Sequence, residues 1–469
     1  MNFWTPHHLR EVTHGRWLVA PADEHGVLTG VTIDSRAVKP GEVFVAIKGD
    51  RFDGHDYVMQ AVDAGASMVV VSRALSAKPQ AGVLEVDDTV AALGALAMDY
   101  RDVLRRVGTK VVAVTGSNGK TTTRQLIHAV LSSTFRGTQS PKSFNNHLGV
   151  PLTLLAVRAD DDFVVAEVGT NHPGEIAALG QILQPDVAVI TTIGGAHMGQ
   201  FGSLEAVARE KASLLGFIEP QGCAVVPLAV ACADEIDRQM TPDAQIVRFG
   251  DLDLQRGAAI DTGMPMRATL AGGAVLELPM LGKHNLYNAL AALAVGRHLG
   301  VVEASGVAAL AAVSGPAMRL ELTTLGQGGD AITVINDAYN ANPDSMRAAL
   351  GVLGDLARSG AYRRCIVVLG DMLELGDAAG EEHRRLGEEV ATLGPRVALA
   401  VLVGKLSVFT AQSLARQWEG DRIMVAPQWS DDLPQRLAHR LQGGDLVLLK
   451  GSRGMALERL LPAMEAATC

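Results

Sequence analysis

The segment from Val111 to Thr122, Val-Val-Ala-Val-Thr-Gly-Ser-Asn-Gly-Lys-Thr-Thr, constrains the fold more than any other in this sequence. Its β-branched opening has the unbroken apolarity of a strand buried on both faces, which belongs in a parallel sheet covered by helices. A glycine turn follows and leads into a helix rich in Thr, Leu and Ile. Backbone N–H groups and the positive end of that helix converge on the turn, which suits it to phosphate. Gly116-Ser117-Asn118-Gly119-Lys120-Thr121 is a shortened Gly-x-x-Gly-Lys-Thr loop, because Val114 stands where the longer pattern has its first glycine. Lys120 would reach β- and γ-phosphate oxygens, and Thr121 would offer its hydroxyl to Mg2+, with Thr122 next in the same turn. The alternative is a coincidental turn.

A chain of 469 residues has length for two or three domains. Apolar runs and turn residues divide it into blocks 1–107, 108–314 and 315–469. The first alternates short β-like runs (Val43 to Ile47, Met68 to Val71) with helical stretches such as Thr89 to Arg105. The second adds buried strands Phe163 to Val168 and Val187 to Thr192, then a β-rich excursion from Ala224 to Pro279 and an Ala-rich helix from Asn285. Gly315-Pro316 breaks the helical pattern there. The third alternates strands and helices regularly, from Ile332 to Leu449, as a doubly wound nucleotide fold does. The expected class is therefore α/β, with a small α/β N-terminal domain, a central P-loop ATPase-like parallel-sheet domain and a C-terminal Rossmann-like domain.

Composition removes several function classes. A net charge of −10 argues against a sequence-independent grip on nucleic acid or an anionic membrane, so phosphate binding must be local. Aromatic residues at 4 % disfavour stacking platforms for bases or sugars. No run approaches the roughly 18 apolar residues of a membrane span, and the start lacks the basic-then-apolar pattern of a signal peptide. Cys223, Cys232, Cys365 and Cys469 form no Cys-x-x-Cys pair. A cytoplasmic protein is expected, without membrane insertion.

Other polar positions each carry two readings. Glu167 ends a buried strand, where ligands of a bound Mg-nucleotide project in parallel sheets. His197 follows the next strand, either as a metal ligand or as a hydrogen-bonded structural histidine. Lys211 is by default a solvated helix lysine. Asn145 and Asn146 form a polar turn that would equally cap a helix, and Asn285, with Asn288 after it, opens the Ala-rich helix. Asp337 ends a strand in Asp337-Ala338-Tyr339-Asn340-Ala341-Asn342-Pro343.

In this order the phosphate loop, Asn145-Asn146, Glu167, His197, Lys211, His284-Asn285, Arg319 and Asp337 resemble the Mur ligase family of ATP-dependent amide-forming enzymes, over nearly the whole chain. Asp337 to Pro343, Leu369-Gly370-Asp371-Met372-Leu373-Glu374-Leu375-Gly376 and Lys450-Gly451-Ser452-Arg453-Gly454-Met455 resemble the branch that joins D-alanyl-D-alanine to UDP-N-acetylmuramoyl-tripeptide. The resemblance implies ATP and Mg2+, an acyl-phosphate intermediate, and a monomer. It assigns Thr121 and Glu167 to one ion, and His197 and Lys211, as a carbamate, to a second. It also assigns Asn285 and Asn288 to adenine, Arg319 and Asp337 to phosphates and ribose, and the C-terminal domain to the dipeptide. Ser35, Arg36 and His55 resemble a uridine-nucleotide module, while Asn145, Asn146, Tyr339, Asn340 and Asn342 are expected to touch substrate. The sibling that adds the third amino acid is a rival, but its Asp-Asn-Pro-Arg motif is absent. Folylpolyglutamate synthetase lacks such a first block, and a non-ligase P-loop ATPase switch would leave the third domain without a purpose.

Overall fold

The computed structural model describes residues 4–195 and 198–467. Three mainly parallel sheets follow one another along the chain. The first contains β1 (Arg16–Val19), β2 (Val31–Thr32), β3 (Val43–Val45), β4 (Met68–Val71) and β5 (Gly82–Glu85) in the order β1-β5-β4-β3-β2. Only β1 runs antiparallel to its neighbour. The helix Thr89–Val107 leaves this sheet, with Asp88 as N-cap accepting from Val90 and Ala91 and Gly108 in the left-handed region closing its other end.

That helix ties the first sheet to the second. Its apolar face contributes Leu93, Leu96, Ala97, Tyr100 and Leu104 to a core that also holds Val43, Met68 and Leu84 on one side and Val111, Val164 and Ala188 on the other. Arg101 lies 1 % exposed within it. Its guanidinium donates to the carbonyls of Leu183 and Gln184 and to Asp186 Oδ2 at 2.9 Å. Asp186 in turn accepts from the Val111 N–H at the root of the phosphate-loop strand. One hydrophobic core thus runs through both sheets, fixed by the buried Arg101 and its part-exposed partner Asp186.

The second sheet contains β6 (Lys110–Thr115), β7 (Gly137–Gln139), β8 (Phe163–Glu167), β9 (Val187–Ile190), β10 (Cys223–Pro227) and β11 (Gln245–Phe249), all parallel, in the order β11-β10-β9-β6-β8-β7. β6 sits centrally, buried from Val111 to Thr115, as its β-branched sequence requires. The stretch expected to be β-rich, Ala224 to Pro279, holds four strands. Its first part supplies the parallel β10 and β11, joined through the helix Ala233–Arg238, and only β12 (Met266–Thr269) and β13 (Val275–Leu278) form a separate hairpin.

The third sheet contains β14 (Glu321–Leu325), β15 (Ile332–Asp337), β16 (Arg364–Gly370), β17 (Val397–Val403), β18 (Ile423–Ala426) and β19 (Asp445–Lys450), in the order β14-β15-β19-β16-β17-β18. β14 is antiparallel and the others are parallel. Its two faces bury separate clusters, one around Ile335, Val367 and Leu402 and the other around Val334, Val368 and Leu449. Helices such as Pro343–Arg358, capped by Asn342 with proline at its first turn, cover the sheet. The carboxyl ends of β6, β8 and β15 all face one cleft.

Candidate active site

The cleft encloses about 1460 Å³ between the second and third sheets, and Lys120, Glu167, Asn288, Arg319, Asp337 and Tyr339 are among the residues lining it. The phosphate loop forms its floor. Gly116 has φ 146°, and a Cβ there would stand 1.9 Å from Thr191 Oγ1. Gly119 has φ 81° and lies against the Asn288 side chain, whose Oδ1 would be 2.8 Å from an added Cβ. Both positions need glycine for conformation and for space. Ser117 is pinned beside them, its hydroxyl donating to the Gly194 carbonyl at 3.0 Å.

Lys120 opens the helix Lys120–Ser132 and folds back, its Nζ donating to the Gly116 carbonyl at 2.7 Å. Desolvation pushes this amine below the usual lysine range; Glu167 opposes the shift and Arg319 adds to it. Thr121 Oγ1 accepts from Arg319 Nη2 at 3.2 Å. Thr122 is buried in the first turn.

Glu167, 2 % exposed, has its two oxygens in different circumstances. Oε1 accepts from Asn145 Nδ2 at 3.0 Å, whereas Oε2 is buried with no hydrogen-bond partner among the described residues. A buried carboxylate oxygen without a partner is costly unless a cation completes it. Lys211, 2 % exposed in the helix Leu204–Ala212, is no solvated lysine. Burial and the nearby charge of Lys120 bring its amine down to about 7, against the pull of Glu210. Among the described residues no three His, Cys, Asp or Glu cluster as a metal site. His197 lies outside the described residues.

The third sheet reaches into the cleft from above. Arg319 spreads over the Tyr339 ring, with its guanidinium carbon 4.3 Å from the centroid. The Tyr339 hydroxyl hydrogen-bonds Ser143. Asn342 Nδ2 donates to Asn118 Oδ1 at 2.8 Å, and Asp344 Oδ2 accepts from the Gly195 N–H at 2.9 Å. Asp337 is held by Lys450, a residue 1 % exposed whose Nζ donates to Asp337 Oδ2 at 2.5 Å and to the Asn340 carbonyl at 3.1 Å.

Asn145, Asn146, Asn285 and Asn288 all line the cleft and also make bonds within the protein. Asn146 Oδ1 accepts from the N–H groups of Leu148 and Gly149, so it caps a turn while Asn145 alone faces the carboxylate. Asn285 is buried and donates to the Leu281 carbonyl, while Asn288 bonds to Asn285 and packs on Gly119. The structure does not bring Ser35, Arg36 or His55 to this cleft. Ser35 bonds Gln60, Arg36 pairs with Asp34 in solvent, and His55 spends one ring nitrogen on Asp53 Oδ1 at 2.6 Å and the other on the Ser72 N–H at 2.9 Å. The His55 ring is fully engaged by its own sheet. In the sequence Lys450 stands only as the first residue of the segment Lys450 to Met455 that resembles the family; its role in fixing Asp337 depends on the neighbouring strands β15 and β19.

A phosphate loop, a buried carboxylate and a near-neutral buried lysine, faced by an arginine from a Rossmann-like sheet, define a nucleotide-dependent ligase class. The chain belongs to the Mur ligase family. It matches the catalytic domain of that family over residues 27–101, the Mur ligase middle domain over 114–296, and the glutamate ligase domain over 318–453. More particularly, it is 37 % identical over 452 residues to the UDP-N-acetylmuramoyl-tripeptide--D-alanyl-D-alanine ligase of Bacillus subtilis, covering 95 % of this chain and 94 % of the relative. The ligase of the same name from Escherichia coli is 33 % identical over 459 residues, covering 94 % and 95 %. Among solved structures, MurF from Acinetobacter baumannii superposes with a TM-score of 0.85 at 33 % identity, covering 99 % of both chains. MurF from Thermotoga maritima in complex with ADP gives 0.76 at 26 % identity, covering 94 % and 97 %.

Proposed function

We propose that this protein joins D-alanyl-D-alanine to UDP-N-acetylmuramoyl-tripeptide at the expense of ATP. The observation that carries the chemistry is the convergence of Lys120 and Glu167 on one cleft closed by Arg319, with the buried Lys211 near enough to feel the charge of Lys120. The full-length relatives supply the substrates.

A carboxylate is a poor acyl donor, so the tripeptide carboxylate first attacks the γ-phosphorus and ADP leaves. The dipeptide amine then attacks the acyl carbon of this acyl phosphate, phosphate departs and the ammonium loses its proton. Catalysis of this kind is positioning and charge stabilisation. The loop amides of Gly119 to Thr121 cradle phosphate oxygens, those of Ser117 and Asn118 being taken by Thr192, while Lys120 turns from the Gly116 carbonyl toward the β/γ bridge and Arg319 faces the transferring group. Asn288 shapes the loop beneath the nucleotide, and Asp337, oriented by Lys450, takes the ribose side. Tyr339, Asn340 and Asn342 bring the third domain's dipeptide end to the same cleft. Ser35, Arg36 and His55 belong to a separate uridine-nucleotide end in the first domain.

The Thr121 hydroxyl and the unpartnered Glu167 oxygen fit a Mg2+ ion, and Lys211 fits a second once CO2 has converted its amine to an anionic carbamate. Mg2+ supplies charge neutralisation between the phosphates when bound. His197 is assigned to this second ion by resemblance. The remaining parts of the reading are a cytoplasmic monomer and domains 1–107, 108–314 and 315–469.

Phosphate release from ATP, measured with UDP-N-acetylmuramoyl-tripeptide and with or without D-alanyl-D-alanine, tests the reading. Release that depends on both substrates is expected. Release indifferent to the dipeptide, or satisfied equally by a free diamino acid, would overturn it.

A further inference from the structure

Arg124 is a buried cation that the proposed reaction does not use. It lies one helical turn beyond Lys120, and its Nη1 donates to the carbonyls of Ser140 and Lys142, the latter at 2.7 Å. Its Nε is buried without a hydrogen-bond partner among the described residues. Burial pushes the guanidinium below the usual arginine range, with Glu167 opposing and Arg319 adding to the shift. A buried, incompletely bonded cation is poor value for stability alone, since an apolar side chain fills such space more cheaply.

The segment it grips has a double attachment. Ser140 Oγ accepts from the Glu167 N–H at 3.0 Å and from Thr153 Oγ1 at 3.2 Å. Lys142 takes a left-handed φ of 48°, which turns the chain toward Ser143, the partner of the Tyr339 hydroxyl. Asn145 then returns to the Glu167 carboxylate. One short loop therefore touches the carboxylate strand at both ends and the third sheet in the middle. Arg124 joins that loop to the helix bearing Lys120 and Thr121 through the single nitrogen Nη1, carried on a planar head one atom farther from the backbone than a lysine amine.

We propose that Arg124 is a positioning residue that holds the Glu167 carboxylate and the Tyr339 contact in register with Lys120 and Thr121 through the segment Ser140 to Asn145. The proposal rests on reading the cleft as a Mg-nucleotide site. The test is the affinity of the full chain for ADP, measured by calorimetry with and without Mg2+, for wild type, Arg124→Lys and Asn145→Ala. Arg124→Lys is expected to reduce the Mg2+-dependent gain in affinity about tenfold, the scale at which residues behind metal ligands act, while metal-free affinity stays within about twofold. Ligase kcat should fall about tenfold with little change in the dipeptide KM. Asn145→Ala, on the far side of the loop, should reproduce the Mg2+ phenotype.

A wild-type chain whose ADP affinity ignores Mg2+ would overturn the reading of the cleft, and the role of Arg124 with it. A Mg2+ gain that survives Arg124→Lys overturns the role of Arg124 alone. So does a parallel loss of metal-free affinity, an unfolded Arg124→Lys chain, or an Asn145→Ala variant with undiminished Mg2+ gain, because each leaves only a structural tie.

Discussion

Lys211 can be followed by its own titration. Its amine, brought down to about 7 by burial and by Lys120, is partly neutral near physiological pH and so able to add CO2. A carbamate signal from 13C-bicarbonate should therefore strengthen from pH 6 to pH 8 and vanish in Lys211→Ala, whose activity short carboxylates should partly restore. Stability in CO2-free buffer carries the matching sign. Between about 7 and the usual value of 10.5 the unfolded chain holds a proton that the folded chain has lost. The Lys211 contribution thus rises with pH across that window, by up to about 1.4 kcal/mol per unit. Urea unfolding of wild type and Lys211→Met at pH 7 and pH 9 should show the stability advantage of the methionine variant shrinking. Lys120→Ala should cost about 10² to 10³ in kcat with an unchanged circular dichroism spectrum. At this scale the phosphate loop was readable, since neighbouring residues make it. The Lys450–Asp337 pair was not, because its partners are 113 positions apart and only the sheet order joins them.

Elements were legible in proportion to their burial. β6, β8 and β9 are continuous apolar runs, and each is marked as a strand by its sequence. β1, β7 and β14 are half-buried or exposed edge strands of mixed polarity, with no period to mark them. The strand β11 was obscured in the same way, its first two residues being exposed at the sheet edge. Where element meets loop, steric demand yields a sharper expectation. Gly116→Ala places a methyl group on Thr191 in a backbone region that alanine resists, so it should destabilise the central sheet by about 1 to 3 kcal/mol. Thermal unfolding would register this, and nucleotide binding should weaken with it. Lys450→Met takes the cation from the part-exposed Asp337, a change expected to cost about 1.5 to 3 kcal/mol by urea unfolding.

Across the molecule, the third sheet meets the second through polar contacts, Arg319 with Thr121, Tyr339 with Ser143, Asn342 with Asn118 and Asp344 with Gly195, and through packing of Leu281 in the third core and of Gly199 against Gly376. Each polar contact contributes about 1 kcal/mol net, so Tyr339→Phe with Asp344→Ala, removing two of them, should shift the open-to-closed balance by roughly thirtyfold. A larger radius of gyration in solution scattering and a raised KM for ATP would report it. The first and second sheets share a core and the Arg101–Asp186 pair. A substrate anchored by its nucleotide on the first domain would therefore meet the phosphate loop at a separation the protein does not adjust. The interval between the two sheets acts as a gauge of length, under which a peptide chain one residue too short or too long would hold its carboxylate away from the γ-phosphate however tightly its nucleotide end is bound.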